Sequence, residues 1–250
     1  MDNGWTRSAD AWIADMGTHG DFGRRYVLDP VMQARAQAAS PTRVLDVGCG
    51  EGRFCRMLGG GGRSITGLDP TPALIRAARE RDPHGCYLRG RAEHLPFRDR
   101  AFDLVVSYLT LIDIPDIDDA ISEMARVLAP AGRLLIANLT NFVTPCADRG
   151  WVTDERGLRL HYPIDDYLDD RAMWVGWRGI RILNYHRPMR RYFRAFLDAD
   201  LQLTWFDEPE PIASAPVERA KGYVRVPWFA VMEWRKRPHV ENQPSAPTTR

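Results

Sequence analysis

The chain has 250 residues, of which 44% are hydrophobic and 27% charged, and its formal net charge is +1. This composition predicts a soluble globular protein with one large core, and the balanced charge argues against nucleic-acid binding driven by counterion release. The four cysteines lack metal-ligand spacing and no apolar run approaches about 18 residues, so we expect reduced thiols, no metal, no membrane span and a cytoplasmic location.

Two helices are predicted ahead of the first strand, in a helical cover of residues 1–40. Apolar residues recur at three- and four-residue steps, a pattern typical of an amphipathic helix. They are Trp5, Ala9, Trp12, Ile13 and Met16. After a break at Gly20-Asp21, a second helix is expected over about residues 22–39.

The most informative stretch is residues 43–54, where an apolar strand ends in an acid and a glycine-rich turn follows. Asp46 stands two residues before Gly48, and the glycines fall as G-x-G-x-G rather than the G-x-G-x-x-G of dinucleotide sites. Glycine at these positions lets the backbone approach a nucleotide-like ligand closely. A glycine-rich turn without a ligand is the alternative.

A second strand, residues 64–68, ends in Asp69, which lies 19 residues after Gly50. An acid at this position can accept hydrogen bonds from both hydroxyls of a ribose. Thr71-Pro72 then predicts a helix start, with threonine as N-cap and proline at the first position. The alternative for Asp69 is a capping or loop acid.

The rest of the chain continues the alternation of strands and helices, with one interruption. Strands are predicted over 86–90, 102–107, 133–137, 201–206 and 223–234, with helices starting near Asp116 and Arg187. Between the fifth strand and the Arg187 helix, residues 142–184 are rich in aromatic side chains and have no clear period. Such an insertion at the carboxyl end of a strand predicts a cap or lid over a pocket.

The run from Asp46 to Gly52, with Gly67–Pro70, Arg91–Phe97 and Phe102–Ser107, resembles class I S-adenosylmethionine (SAM)-dependent methyltransferases. The likeness is to the small-molecule branch that includes ubiquinone/menaquinone-type enzymes. It implies an α/β fold with a doubly wound, seven-stranded Rossmann-like sheet. The implied strand order is 3-2-1-4-5-7-6, with strand seven antiparallel, N-terminal helices and a cap insertion after strand five.

The resemblance also implies SAM as cofactor and a set of residues that bind it. They are Asp46, Gly48, Cys49, Gly50, Asp69, Pro70, Ala92, Glu93, Ser107 and Tyr108. Within that set, Glu93 would meet the exocyclic amine of adenine. Arg24, in Gly20–Arg25, would hold the methionine carboxylate, and a merely solvated arginine is the alternative.

The implied organisation is a cofactor-binding core of residues 41–141 and 185–238, the cap of residues 142–184 and a flexible tail of residues 239–250. The acceptor, enclosed by the cap and residues 5–25, would be a small aromatic or apolar molecule. A general base is needed if a hydroxyl is methylated. His186 is the first candidate and His161 the second, with a histidine bonded to backbone as the alternative.

The predicted function is transfer of a methyl group from SAM to an O or N atom of that acceptor by in-line displacement. A SAM-binding protein without catalysis, acting as a regulator or partner subunit, is the main alternative. A nicotinamide-dependent oxidoreductase is less favoured, because the glycine spacing is wrong for it and no tyrosine has a lysine four residues later. We expect a monomer or homodimer with a small-molecule substrate and no nucleic-acid partner.

Overall fold

The computed structural model describes residues 3–237, so the predicted tail, residues 239–250, lies outside the described part. The helices are α1 (Trp5–Met16), α2 (Asp29–Gln37), α3 (Arg53–Leu58), α4 (Pro72–Arg81), α5 (Ile117–Val127), α6 (Met189–Asp198) and α7 (Val217–Arg225). A π-helical turn, Arg24–Leu28, leads into α2, and short 3₁₀ turns span Leu111–Asp113 and Thr144–Cys146.

The strands of the main sheet are β1 (Arg43–Val47), β2 (Ser64–Asp69), β3 (Cys86–Arg89), β4 (Phe102–Tyr108), β5 (Leu128–Leu139), β10 (Leu201–Asp207) and β11 (Phe229–Lys236). Two further hairpins, β6 (Val152–Thr153) with β7 (Arg159–His161) and β8 (Arg171–Trp177) with β9 (Ile180–His186), lie between β5 and α6.

The main sheet has the order β10-β11-β5-β4-β1-β2-β3. Strands β1 to β5 pair in parallel, whereas β11 is antiparallel to both β5 and β10. Counted along the chain, the seven strands therefore stand as 3-2-1-4-5-7-6 with strand seven antiparallel. The predicted fold class is confirmed.

Burial explains why the central strands read as continuous apolar runs. Strand β4 is buried along almost its whole length, and Val44, Leu45 and Val47 of β1 are fully buried. Parallel strands covered by helices on both faces have no solvent-facing side, so they lack the alternation of a half-exposed strand. Their carboxyl ends meet at one edge of the sheet, where the loops after β1, β2 and β4 come together.

The structure differs from the sequence prediction at two places near the end of the chain. Tyr223, predicted to begin the last strand, lies in α7, and the strand begins at Phe229. His186 was expected at a helix start, but it ends β9, and α6 begins at Met189 after the N-cap Pro188. The last strand is fixed by pairing with β5 and β10, which lie well before it in the sequence, whereas β9 is fixed by pairing with β8 across a hairpin.

Candidate active site

The glycine loop after β1 forms one wall of a cavity of about 200 Å³ at the carboxyl edge of the sheet. We call this the main cavity. Gly48 and Gly50 have positive φ values of 77° and 56°, a conformation that favours glycine. A Cβ on Gly48 would overlap Thr110 of the loop after β4, so the two loops are in close contact. A Cβ on Gly50 would instead enter open space, with the Trp12 indole nitrogen nearest at 3.8 Å.

Asp69, at the end of β2, is tied to this loop and lines the same cavity. Its Oδ2 accepts a hydrogen bond from the Gly50 N–H at 3.1 Å, and its Oδ1 accepts one from the Thr71 N–H at 2.8 Å. Burial raises the pKa of Asp69, and the two backbone donors partly offset that rise. Each oxygen keeps further lone pairs, so the carboxylate fits the ribose hydroxyls of SAM.

Asp46, at the end of β1, lines a smaller cavity of about 60 Å³ beside the glycine loop. We call this the inner cavity. Its Oδ2 accepts from the Cys55 thiol at 3.4 Å, and its Oδ1 is buried without a hydrogen-bond partner in the described residues. Burial raises the pKa of Asp46 to about 7. An orphaned carboxylate oxygen fits a donor from the ligand, such as the amino group of SAM.

Arg24 lines both cavities, with its guanidinium 4.8 Å from the centre of the Trp12 ring and 5.8 Å from that of Tyr108. Its Nη1 donates to Asp21 Oδ2 at 2.7 Å. The hydroxyl of Tyr108 donates to Asp29 at 2.8 Å. Arg24 therefore lies beside the glycine loop, and its binding of the methionine carboxylate stays a prediction. Its neighbour Trp12 was expected only as part of the amphipathic helix.

Asp29 is also held by an ion pair with the buried Arg53. Arg53 begins α3 directly after the glycine loop, and it donates to the carbonyl of His19 at 3.0 Å. This pair therefore fastens the segment between α1 and α2 to the start of α3. The ion pair thereby stabilises the part of the cavity lining that contains Arg24 and Tyr108.

Pro70, Ala92 and Glu93 also line the main cavity, and the binding of adenine by the loop that holds Glu93 stays a prediction. The Glu93 carboxylate is 14% exposed and accepts from Arg91 at 2.7 Å. Cys49 lines the inner cavity with its thiol buried. Ser107 lies outside both linings: it is fully buried in β4 with its hydroxyl unpartnered in the described residues.

His186 does not have the position that a base would need. It is fully buried and lines neither cavity. Its Nε2 lies 2.9 Å from the carbonyl of Tyr167, and its Nδ1 lies 2.7 Å from the hydroxyl of Thr144. A carbonyl only accepts, so Nε2 carries the hydrogen and Nδ1 accepts from Thr144. Burial lowers the pKa of His186, so this occupied, neutral ring has a structural role.

His161 also lies away from both cavities. It is exposed on β7, opposite Val152 of β6. The hairpin formed by these two strands contributes no residue to either lining. Neither histidine candidate is therefore placed beside the cofactor loop.

Helix α1 and the β8–β9 hairpin are joined by hydrogen bonds. The Leu183 N–H donates to the carbonyl of Asn3 at 2.9 Å, and Ser8 Oγ both donates to the Arg181 carbonyl and accepts from the Arg181 N–H at 3.0 Å. Gly4 packs so closely on the Arg181 carbonyl that a Cβ there would overlap it. Helix α1 lines the main cavity with Trp5 and other residues. The hairpin contributes no residue to that lining, and it contacts the lining through the hydrogen bond from Asn184 to Asp113.

Asp113 is the wall residue that sequence analysis missed. It lies on the 3₁₀ turn after β4, and its Oδ1 accepts from the Asn184 amide at 2.5 Å. Burial raises the pKa of Asp113 well above its ordinary value, and hydrogen bonds from Asn184 and Trp5 only partly offset this. The one available signal was topological, since loops at the carboxyl ends of parallel strands meet.

Among residues 3–237, none of the helices has the length and hydrophobicity that a membrane crossing requires. The same residues also contain no group of three or more His, Cys, Asp or Glu residues arranged to hold a metal ion.

Comparison with known proteins gives consistent matches. A family model described as a methyltransferase domain matches residues 45–136. The malonyl-[acyl-carrier protein] O-methyltransferase of Erwinia pyrifoliae is 38% identical over 105 residues, which is 42% of this chain and only 40% of that enzyme. The demethylmenaquinone methyltransferase of Renibacterium salmoninarum is 31% identical over 200 residues, 72% of this chain and 82% of that protein.

Solved structures agree on the fold. An S-adenosylmethionine-dependent methyltransferase from Mesorhizobium loti superposes with a TM-score of 0.73 at 25% identity. The match covers 83% of this chain and 96% of that one. The matched family segment runs from within β1 to within β5, whereas α1, the two hairpins between β5 and α6, and α6 itself lie outside it.

Proposed function

Because the chain belongs to the class I SAM-dependent methyltransferases, we propose that it transfers the methyl group of SAM to an O or N atom of a small aromatic or apolar molecule. The proposal is supported above all by the hydrogen bond from the Gly50 N–H to Asp69, since both residues line the main cavity. That cavity continues past the cofactor loop to apolar and aromatic residues, including Trp5 and Ile114.

The residues that line the two cavities offer a complementary group for each part of the cofactor. Asp69 would bind the ribose hydroxyls, and Ala92 and Glu93 would bind adenine. Asp46 would accept from the amino group of the methionine part, and Arg24 would donate to its carboxylate. SAM supplies, when bound, an electrophilic methyl group on a positively charged sulfur.

The chain's own contribution to the reaction is to position the acceptor and to exclude water. Methyl transfer from sulfur is an in-line displacement, so its rate depends on holding the acceptor atom in line. Helix α1 and the loop after β4 both line the main cavity, and the β8–β9 hairpin is bonded to α1 behind that lining. We propose that residues 142–184 act as the cap of this site and that residues 41–141 and 185–238 form the cofactor-binding core.

Calorimetry with S-adenosylhomocysteine tests the cofactor site, and NADH serves as the control ligand. A transfer assay with tritiated methyl-SAM over aromatic alcohols, phenols and amines then tests the reaction. Labelled product from one of these acceptors would support the proposal. Tight S-adenosylhomocysteine binding with no transfer to any acceptor would instead favour a SAM-binding protein without catalysis.

A further inference from the structure

The acceptor end of the main cavity is built around one carboxyl group. Asp113 stands where the loop after β4, helix α1 and the β8–β9 hairpin meet. Ile114 and Pro115 follow it in the lining, and Trp5 faces it from α1. Three separate parts of the chain therefore converge on this side chain, and it lies on the cavity wall rather than in the core.

The protein groups that hold Asp113 are hydrogen-bond donors. The Asn184 Nδ2 donates to Oδ1 at 2.5 Å, and the Trp5 indole N–H can only donate. These bonds set the orientation of the carboxyl group. Burial raises its pKa, so the group is acceptor-only once it has ionised, whereas its protonated form also carries an O–H donor. A carboxylate has about four lone-pair positions, so positions remain for a donor that enters from the cavity.

The cations near this carboxyl group are already engaged. Arg24 and Arg91 are the positively charged side chains in the described lining of the main cavity. Arg24 pairs with Asp21 at 2.7 Å, and Arg91 pairs with Glu93 at 2.7 Å.

Arg187, behind the loop after β4, donates to the backbone carbonyls of Leu111, Ile114 and Pro115. Its guanidinium thus holds the loop and is buried away from the lining. An anionic acceptor would therefore face the carboxyl groups of Asp113 and Asp69, because Arg24 already pairs with Asp21 and, under the proposed function, also binds the carboxylate of the cofactor. Burying such an unpaired charge is costly.

We infer that Asp113, oriented by Asn184 and Trp5, forms an acceptor subsite for a neutral O–H or N–H donor and discriminates against carboxylates. This inference rests on the proposed function, because it describes the acceptor of that reaction. Asp113 touches the acceptor through a hydrogen bond, and Asn184 and Trp5 position it. A phenol, an alcohol or an uncharged amine can donate a hydrogen bond to the subsite. A carboxylate cannot, because it and the ionised Asp113 are both acceptors.

The test compares phenol with benzoate, which share the ring and differ in the polar group. Each is titrated into protein saturated with S-adenosylhomocysteine while the indole N–H signal of Trp5, assigned with Trp5→Phe, is followed by NMR. The titrations are repeated at several pH values up to about 9, below the pKa of phenol. Where Asp113 is ionised, wild type should bind phenol at least about tenfold more tightly than benzoate, because benzoate then leaves a buried negative charge unpaired.

Asp113→Asn keeps the size of the side chain but adds N–H donors, so it should lower the phenol-to-benzoate ratio at least about tenfold. The matched control is Asp10→Asn, which makes the same charge change at an exposed position of α1. It should leave the ratio unchanged.

Three results would overturn the inference: no saturable response to phenol, benzoate binding as tight as phenol, or the wild-type ratio in Asp113→Asn. If S-adenosylhomocysteine itself fails to bind, the proposed function fails, and the same titrations and criteria then apply to the unloaded protein. If it binds and the phenol preference is absent, the subsite alone is refuted.

Discussion

Replacing Asp69 with alanine should remove cofactor binding while the fold survives. The carboxylate is placed to accept two charge-assisted hydrogen bonds from the ribose, each contributing about 1.5–3 kcal/mol. Taking the lower value for both, the loss is at least about 3 kcal/mol, or roughly a hundredfold in the dissociation constant.

The same substitution has opposing effects on stability. It leaves the N–H groups of Gly50 and Thr71 without their acceptor, which costs about 1–3 kcal/mol. It also removes a carboxyl group whose ionisation is disfavoured by burial. We therefore expect a small change in melting temperature and a cooperative transition.

Calorimetry with S-adenosylhomocysteine measures the affinity, and thermal unfolding of the same samples measures the stability. Glu80→Ala is the control, because Glu80 is an exposed acid on the neighbouring helix α4. Wild-type affinity in Asp69→Ala would refute the ribose assignment. A hundredfold loss in Glu80→Ala as well would show that net charge, and not the carboxylate at the end of β2, controls binding.

Three further substitutions test other parts of the site. Gly50→Val should abolish S-adenosylhomocysteine binding because it places a side chain in the cavity, whereas Gly60→Val, also at a positive φ but in open space, should retain it; equal loss in both would point to backbone strain alone. The folded-state pKa of Asp46 is raised from 3.8 to about 7, so stability should fall as pH rises between these values; Asp46→Asn should remove that fall in the melting temperature of the ligand-free protein, and parallel pH profiles would contradict it. His186→Ala should lower the melting temperature because it empties a buried site and leaves Thr144 and the Tyr167 carbonyl unpaired; an unchanged melting temperature with a reduced kcat would restore the predicted base.

The cofactor half of the site could be predicted from sequence because its rules are local. A glycine spacing dictates a turn, and an acid at the end of β2 must lie beside that turn when β1 and β2 pair in parallel. Asp69 and Gly50 were found in this way. The Gly50 N–H donates directly to the Asp69 carboxylate, although the two residues are 19 positions apart in the sequence.

The acceptor half could not be predicted because its residues meet only through long-range pairing. Asp113 and Asn184 are separated by 71 residues, and neither stands in a motif. His186 was misplaced for a different reason, because its strand belongs to the local β8–β9 hairpin, in which His186 pairs with Arg171. The side chains of β9 alternate between buried and more exposed positions along Ile180–His186. The aromatic-rich sequence around them obscured this two-residue period.

The interlocking of α1 with the β8–β9 hairpin has a consequence for how new substrate preferences can be engineered. Gly4 and Ser8 fit the Arg181 backbone, so a foreign helix would clash with the resident hairpin, and a foreign hairpin with the resident helix. The two segments, distant in sequence, form a single exchangeable module. Chimeras in which residues 3–20 and 171–186 come together from one donor should fold, whereas those that take either segment alone should not.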